Sequence, residues 1–278
     1  MTSNSLRPGS STTIGTRTER GAAREWSFLG TSALVFLASA AGTIYSSGSM
    51  SGGMPMPGGW TLSMTWLRMP GQTWFGASIG FLATWMGMMM AMMLPSLVPV
   101  LSSYRRAVGE PGKPQLGTLT ALVGGGYFLV WAVYGAVAYA LGVGLTAVEL
   151  RWSAFARFAP AATGIVLLLA GCVQLTAWKA SQLQRCWEVQ ACRGSVPAAA
   201  RGALRHGLWL GVHCSLCCSG YMILLLVTGM MNLAAIAVVA AAITVERLAP
   251  RPEWAARACG AVVMLTGAGL IARALGGP

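Results

Sequence analysis

From Trp26 onward the chain alternates long apolar runs with short polar, basic segments. A helix needs roughly 20 residues to cross the hydrocarbon core of a bilayer. Against that length the runs predict seven helices, at about residues 26–45, 73–101, 118–142, 154–178, 204–228, 231–245 and 254–275. The fifth and sixth come from one apolar stretch, 207–245, which is too long for a single crossing and divides at Gly229. Reading that stretch as one bent helix instead gives six crossings. The expected fold class is an all-α polytopic transmembrane bundle spanning 26–275. Residues 1–25, polar and basic, form a disordered tail in this reading. No cleavable signal is expected, because the first apolar run is long enough to span. Residues 46–72 form an outer loop rich in glycine, serine and proline, and residues 179–205 form the longest inner loop.

Composition strengthens the membrane reading. Of 278 residues, 55% are hydrophobic and 9% charged, where a soluble domain carries roughly a quarter charged residues. Nineteen basic residues face seven acidic ones, all glutamate, for a net charge of +12. On a soluble chain such a balance points to nucleic acid. Here the arginines show no interleaving with aromatics of the kind a nucleic-acid surface needs, and basic cytoplasmic loops explain them. With the N-terminus cytoplasmic, seven crossings put fifteen basic residues inside and four outside, the latter being Arg68, Arg151, Arg157 and Arg273. The six-crossing alternative moves Arg247, Arg251 and Arg257 outside, against the rule. The chain therefore reads as a multi-pass protein of a bacterial-type inner membrane, with the lipid bilayer as its first partner.

Candidate chemistry lies in sulfur. "TWMGMMMAMMLPSLVP", residues 84–99, holds six methionines within eight positions, 86–93. At about 100° per residue, Met86, Met89, Met90 and Met93 share a stripe, with Met88 and Met92 turned away from it. Pro95 lacks an amide donor and crowds the carbonyl of Ala91, which predicts a kink after the run. A broken backbone is tolerated in membranes where it is buried in protein or lines a cavity, so the run should face the bundle. The fifth predicted helix carries "RHGLWLGVHCSLCCSGYM". Its Cys214, Cys217 and Cys218 stand at i, i+3, i+4 and so share a face. Met222 lies one turn beyond, and His206 and His213 are on the stripe of Cys217. Thiolate, thioether and imidazole form a soft-ligand set that selects Cu(I), with zinc as the harder competitor.

Depth agrees with this pairing. Met86 lies thirteen residues from Thr73 and Cys217 eleven from Thr228, about 20 and 16 Å at 1.5 Å per residue. A metal site is therefore expected between the second and fifth helices. The outer loop adds Met50, Met54, Met56, Met64 and Met69, which would capture copper outside the membrane; the inner loop holds Cys186 and Cys192. Other intramembrane polar groups have plainer readings. Gln174, Asn232 and Thr244 serve as interhelical hydrogen-bond donors, and Glu246 with Arg247 makes a surface ion pair at a helix end. No carboxylate pair lies within the apolar segments and no glycine-rich phosphate loop is present, so neither hydrolysis nor nucleotide-driven pumping has support.

The ordered set "WMGMMMAMMLPS", "QLTAWK", "CSLCCSGYM", "GMMNL" and "ER" resembles the predicted metal-binding integral membrane proteins grouped as domain of unknown function 2182. The resemblance covers about residues 73–247. By position it implies roles for Met88, Met89, Met92, Met93 and Pro95, for Cys214, Cys217 and Cys218, and for Met222 and Asn232. The chain departs from that pattern in three places. Ala177 stands for a proline, Ser219 for a tryptophan, and Gln182 for the first of two cytoplasmic cysteines, which leaves Cys186 alone there.

The combined ligand set is Met86, Met89, Met92, Met93, Cys214, Cys217, Cys218, Met222 and His213. The function it points to is copper handling, by delivery or transport, with a membrane cuproenzyme or a periplasmic copper protein as partner. Two other readings stand beside it. One is a structural or assembly subunit in which methionine and cysteine only pack. The other is a membrane thiol oxidoreductase using Cys214 and Cys217, which requires a lowered thiol pKa and access for a partner. Non-enzymatic handling is favoured over catalysis.

Overall fold

Helices make up nearly all of the computed structural model, which describes residues 11–49, 53–55, 61–68, 71–108, 115–190, 199–230, 232–248 and 252–276. They are α1 (Ser11–Ser49), α2 (Trp74–Val108), α3 (Gln115–Arg151), α4 (Ser153–Gln174), α5 (Ala177–Gln190), α6 (Ala200–Thr228), α7 (Leu233–Leu248) and α8 (Pro252–Gly276). Between α1 and α2 lie two short antiparallel strands, β1 (Gly53–Pro55) and β2 (Thr61–Ser63), with Met54 opposite Leu62, followed by a single turn of 3₁₀ helix, Met64–Trp66.

Several expectations change. Residues 11–25, read as a disordered tail, continue α1. The outer loop is not without regular structure, since it carries the β1–β2 hairpin; Met50, Met56 and Met69 fall outside the described residues. The inner loop begins as a helix, α5, and Cys192 also lies outside the described residues. Five helices have the length and hydropathy of a membrane span: 25–48 within α1, then α2, α3, α6, and 253–274 within α8. The end of α4 and the start of α5 form a sixth candidate, bent by 65° at the break between them. With 16 residues, or about 24 Å, α7 falls short of the core thickness.

The division at Gly229 is observed. There φ is +101°, a value suited to glycine, and Asn232 caps the next helix by accepting the Ala235 N–H at 3.1 Å. Pro95 and Pro99 both lie inside α2, which continues to Val108. Hydroxyls on the apolar helices turn back to their own backbone, as when Thr84 donates to Gly80 O, Thr120 to Leu116 O and Thr244 to Ala240 O. These bonds satisfy the three hydroxyls within their own helices. Thr244 and Asn232 are thus local bonders rather than interhelical donors. Gln174 is buried, and its amide makes no hydrogen bond among the described residues.

Aromatic side chains join α2 to α3 in antiparallel fashion. Phe81 meets Tyr139 at 4.7 Å between centroids, Trp85 stacks on Tyr134, and the Trp85 indole donates to Trp131 O at 2.9 Å. Missing side chains join α3 to α6, which run parallel. A Cβ added at Gly126 would stand 2.7 Å from Leu204 O, and one at Gly211 would stand 2.9 Å from Tyr127 O. Such close approach of small residues is how helices associate where lipid offers no hydrophobic drive. The principal neighbours of α2 are α1, α3 and α7, and those of α6 are α3, α4, α5 and α7.

Candidate metal centre

The i, i+3, i+4 spacing of Cys214, Cys217 and Cys218 does bring the three thiols to one buried face of α6. Cys214, Cys218 and Cys186 of α5 all lie within 4.0 Å of a single side-chain nitrogen, and Cys217 packs in the same buried cluster. Four thiols from two helices thus gather in one place. Cys186, assigned to a cytoplasmic loop from sequence, is 1% exposed and belongs to this group.

The centre of the group is occupied by a side chain that the sequence reading put at the surface. Arg247, in the last turn of α7, is buried; its Nη2 is 2.6 Å from Cys214 Sγ, 3.8 Å from Cys186 Sγ and 4.0 Å from Cys218 Sγ. Nη1 donates to Ser96 Oγ on α2 at 3.0 Å, and Ser96 Oγ donates in turn to Met93 O. The guanidinium meets no carboxylate among the described residues, and its Nε makes no hydrogen bond there. Burying a cation in that way costs several kcal/mol unless nearby groups compensate. Polarizable sulfurs supply that compensation here. The hydroxyl of Tyr127, on α3, completes the cluster at 2.9 Å from Cys214 Sγ.

Glu246 is not the partner of Arg247. Adjacent on α7, the two residues leave the helix about 100° apart, and Glu246 pairs with Lys179 of α5 at 3.3 Å. Tyr221 donates its hydroxyl to Glu246, and the Lys179 ammonium donates to the carbonyl of Cys217. Lys179 and Glu246 are each 3% exposed. The expected surface pair is therefore two buried arms, one a closed ion pair and the other a cation set among thiols. A basic residue at the end of an apolar helix is the pattern of a snorkelling side chain, which is why composition alone pointed outward.

The methionines need a similar correction. Met89, Met92 and Met93 are buried, but so is Met88, while Met86 and Met90 are half-buried. Nearly the whole circumference of α2 is covered at this level, so the single stripe was too narrow. Met88, Met89, Met92, Met93, Met222 and Met230 form one continuous buried cluster with the four thiols. The level also shifts by a turn. Since Trp85 pairs with Trp131 and the helices are antiparallel, one turn on brings α2 to Met89 and α3 to Tyr127, whose hydroxyl meets Cys214. Met89 to Met93, rather than Met86, are level with the thiols. At the level of the thiols Arg247 of α7 bridges α2 and α6, bonding Ser96 of one and Cys214 of the other.

His213 is buried, with Nδ1 3.0 Å from Trp209 O and its ring against Trp209, so it is engaged with its own helix. His206 stacks on Tyr104 of α2 at 5.7 Å. Among the described residues no group of three or more His, Cys, Asp or Glu side chains stands ready-formed around an ion position.

No curated protein and no solved structure matches the chain. A family model described as "PpoB2: Copper chaperone" matches residues 82–270. That span runs from the start of the methionine run through the thiol cluster and into α8, and takes in every residue of the centre described above. By this match, which covers well over half of its length, the chain belongs to the PpoB2 copper chaperone family.

Proposed function

We propose that this protein is a multi-pass membrane copper chaperone that takes up Cu(I) as cargo, holds it on thiols of the α6 cluster and passes it to a membrane cuproenzyme or a periplasmic copper protein. The observation that carries the reading is the gathering of Cys186, Cys214, Cys217 and Cys218 in a dry interior continuous with Met89, Met92, Met93 and Met222. Soft thiolate and thioether donors select Cu(I) over harder divalent ions. The thiols lose their protons to solvent as the ion binds, whereas thioethers bind without proton exchange. Methionines therefore suit transit and cysteines suit retention. Arg247 offsets the negative charge of a thiolate-bound ion from within the cluster, at no cost in access to water.

Membrane placement rests on the five or six helices with the length and hydropathy of a span. With α7 counted as a further crossing, fifteen basic residues fall inside and four outside, which supports a cytoplasmic N-terminus in an inner membrane. The antiparallel α2–α3 pair and the parallel α3–α6 pair are compatible with that threading.

Replacing Cys214 and Cys217 together by serine is expected to remove copper that co-purifies with the detergent-solubilised chain, read by elemental analysis. The variant should keep its helical circular dichroism and its monodisperse elution. Copper content equal to that of the wild-type chain would reject the thiol cluster as the holding site.

A further inference from the structure

A second group of soft donors lies apart from the thiols. A small cavity, with room for about one water-sized particle, opens between α1, α2 and the turn that joins α6 to α7, lined by Thr43, Ser47, Thr84, Trp85, Met88 and Met230. Met88 and Met230 are each 3% exposed. Their thioethers reach the cavity from different elements, α2 and the turn after Gly229. The hydroxyls of Thr43 and Thr84 already donate to their own helices. Ser47 differs: it is 3% exposed and its Oγ makes no hydrogen bond among the described residues. An unsatisfied buried hydroxyl in an otherwise well-bonded helix asks for a partner.

We infer that this cavity is a transit site for a desolvated soft monovalent ion, Cu(I) or its analogue Ag(I), held by the thioethers of Met88 and Met230 with the Ser47 oxygen as a weak third donor and the Trp85 ring beside it. The inference deepens the copper-handling reading and rests on it for the identity of the cargo. Three features select the ligand class. The donors are neutral and the two thioethers are soft, so a divalent ion that needs charged or imidazole ligands is not served. The space matches a bare ion rather than a hydrated one. The Trp85 indole adds a face that attracts cations, while its N–H is held by Trp131 O.

Position along α2 gives the site its role. Met88, Met92 and Ser96 follow each other at i, i+4 and i+8, on one gently drifting stripe. Met88 lines the cavity and Ser96 bonds Arg247 inside the thiol cluster, so Met92 lies between the two. The distance from Met88 to Ser96 along the helix is about 12 Å, a step that a single intervening thioether divides in half. An ion moving down this stripe passes from neutral donors to anionic ones, and so toward tighter binding.

The test uses the full chain in detergent with Ag(I) as a redox-inert probe, counted by equilibrium dialysis and elemental analysis. In the Cys214→Ser, Cys217→Ser background, adding Met88→Leu and Met230→Leu should remove one Ag(I) per chain. The same pair of leucines in the wild-type background should leave the thiol-bound Cu(I) at equilibrium unchanged. There the filling of the thiols, followed by stopped-flow absorbance of the Cu(I)–thiolate band, should slow by about 10-fold or more. Met to Leu nearly conserves volume, and Met88→Leu alone, with a smaller loss of Ag(I), serves if the double variant does not fold. Equal Ag(I) counts with and without the leucines, or unchanged filling rates, overturn the transit site. Copper retained by the double-serine chain but lost with the leucines would sink the thiol cluster and leave this site standing.

Discussion

Two interfaces of this bundle fill the interior in opposite ways. Between α4 and α8, Gly164 and Gly171 face Gly267 and Gly260, seven residues apart on each antiparallel helix. A Cβ added at Gly267 would lie 2.8 Å from Gly164 O and 2.9 Å from Leu168 N. Where α5, α6 and α7 meet, the interior holds an arginine, a lysine, a glutamate and four thiols. The first interface brings backbone close to backbone through its glycines and buries no charged group, with the Gln174 amide as its one unbonded polar side chain among the described residues. At the second, the three charged groups are expensive to bury and are kept by their neighbours. The contrast separates scaffold from centre: one holds the helices together, and the other holds groups whose chemistry can change when an ion arrives.

Substitutions test that separation, and the largest effect is expected at the centre. Glu246→Ala leaves the Lys179 ammonium buried without its counter-ion and takes the acceptor from Tyr221. Removing one partner of a buried pair costs about 3–5 kcal/mol, so thermal unfolding in detergent should shift down more than for any substitution along α4 or α8. A smaller shift than that of Gly267→Val would mean that Lys179 escapes to water, and the contrast between the two interfaces would dissolve. Next comes Gly267→Val, where overpacking costs about 1–3 kcal/mol. In this variant copper per folded chain should stay at the wild-type value. Lost copper there would show that α4 and α8 do more than support.

Apolar length and a glycine at a positive-φ turn are local signals and located the long apolar helices, whereas α5 and the first turns of α1, polar and basic, were read as a loop and a tail. The break at Gly229 needed no tertiary information, whereas Asn232, read as an interhelical donor, proved to be the cap of the next helix. Sequence periodicity also grouped Cys214, Cys217 and Cys218, since helical spacing alone puts them on one face. Arg247, Lys179, Glu246, Tyr127 and Cys186 were not legible as parts of the centre, because they reach it from α3, α5 and α7 rather than from α6 and carry no local mark of burial. The quoted "ER" and "AWK" segments contained three of them, yet spacing cannot show that a charge at a helix end points inward. Met88 was misplaced for a related reason: a stripe computed on α2 alone ignores that α1, α3 and α7 together surround it.

The smallest expected effect concerns the turn itself. Asn232 belongs to the "GMMNL" segment that resembles a metal-binding family pattern, yet its side chain is exposed and its Oδ1 accepts the Ala235 N–H at the start of α7. A carboxamide oxygen is a hard donor, ill suited to Cu(I). Asn232→Ala should therefore cost about 1 kcal/mol as a lost helix cap, while copper content and the rate at which the thiols fill both stay at wild-type values. The cap has a reason to persist without touching the ion: it starts α7, whose far end carries Glu246 and Arg247 into the thiol cluster, and it follows Met230 in the transit cavity. Asn232→Ser, which restores a capping oxygen, should recover the lost stability. Copper lost with Asn232→Ala and not recovered with Asn232→Ser would move this residue from the scaffold side of the comparison to the chemical one.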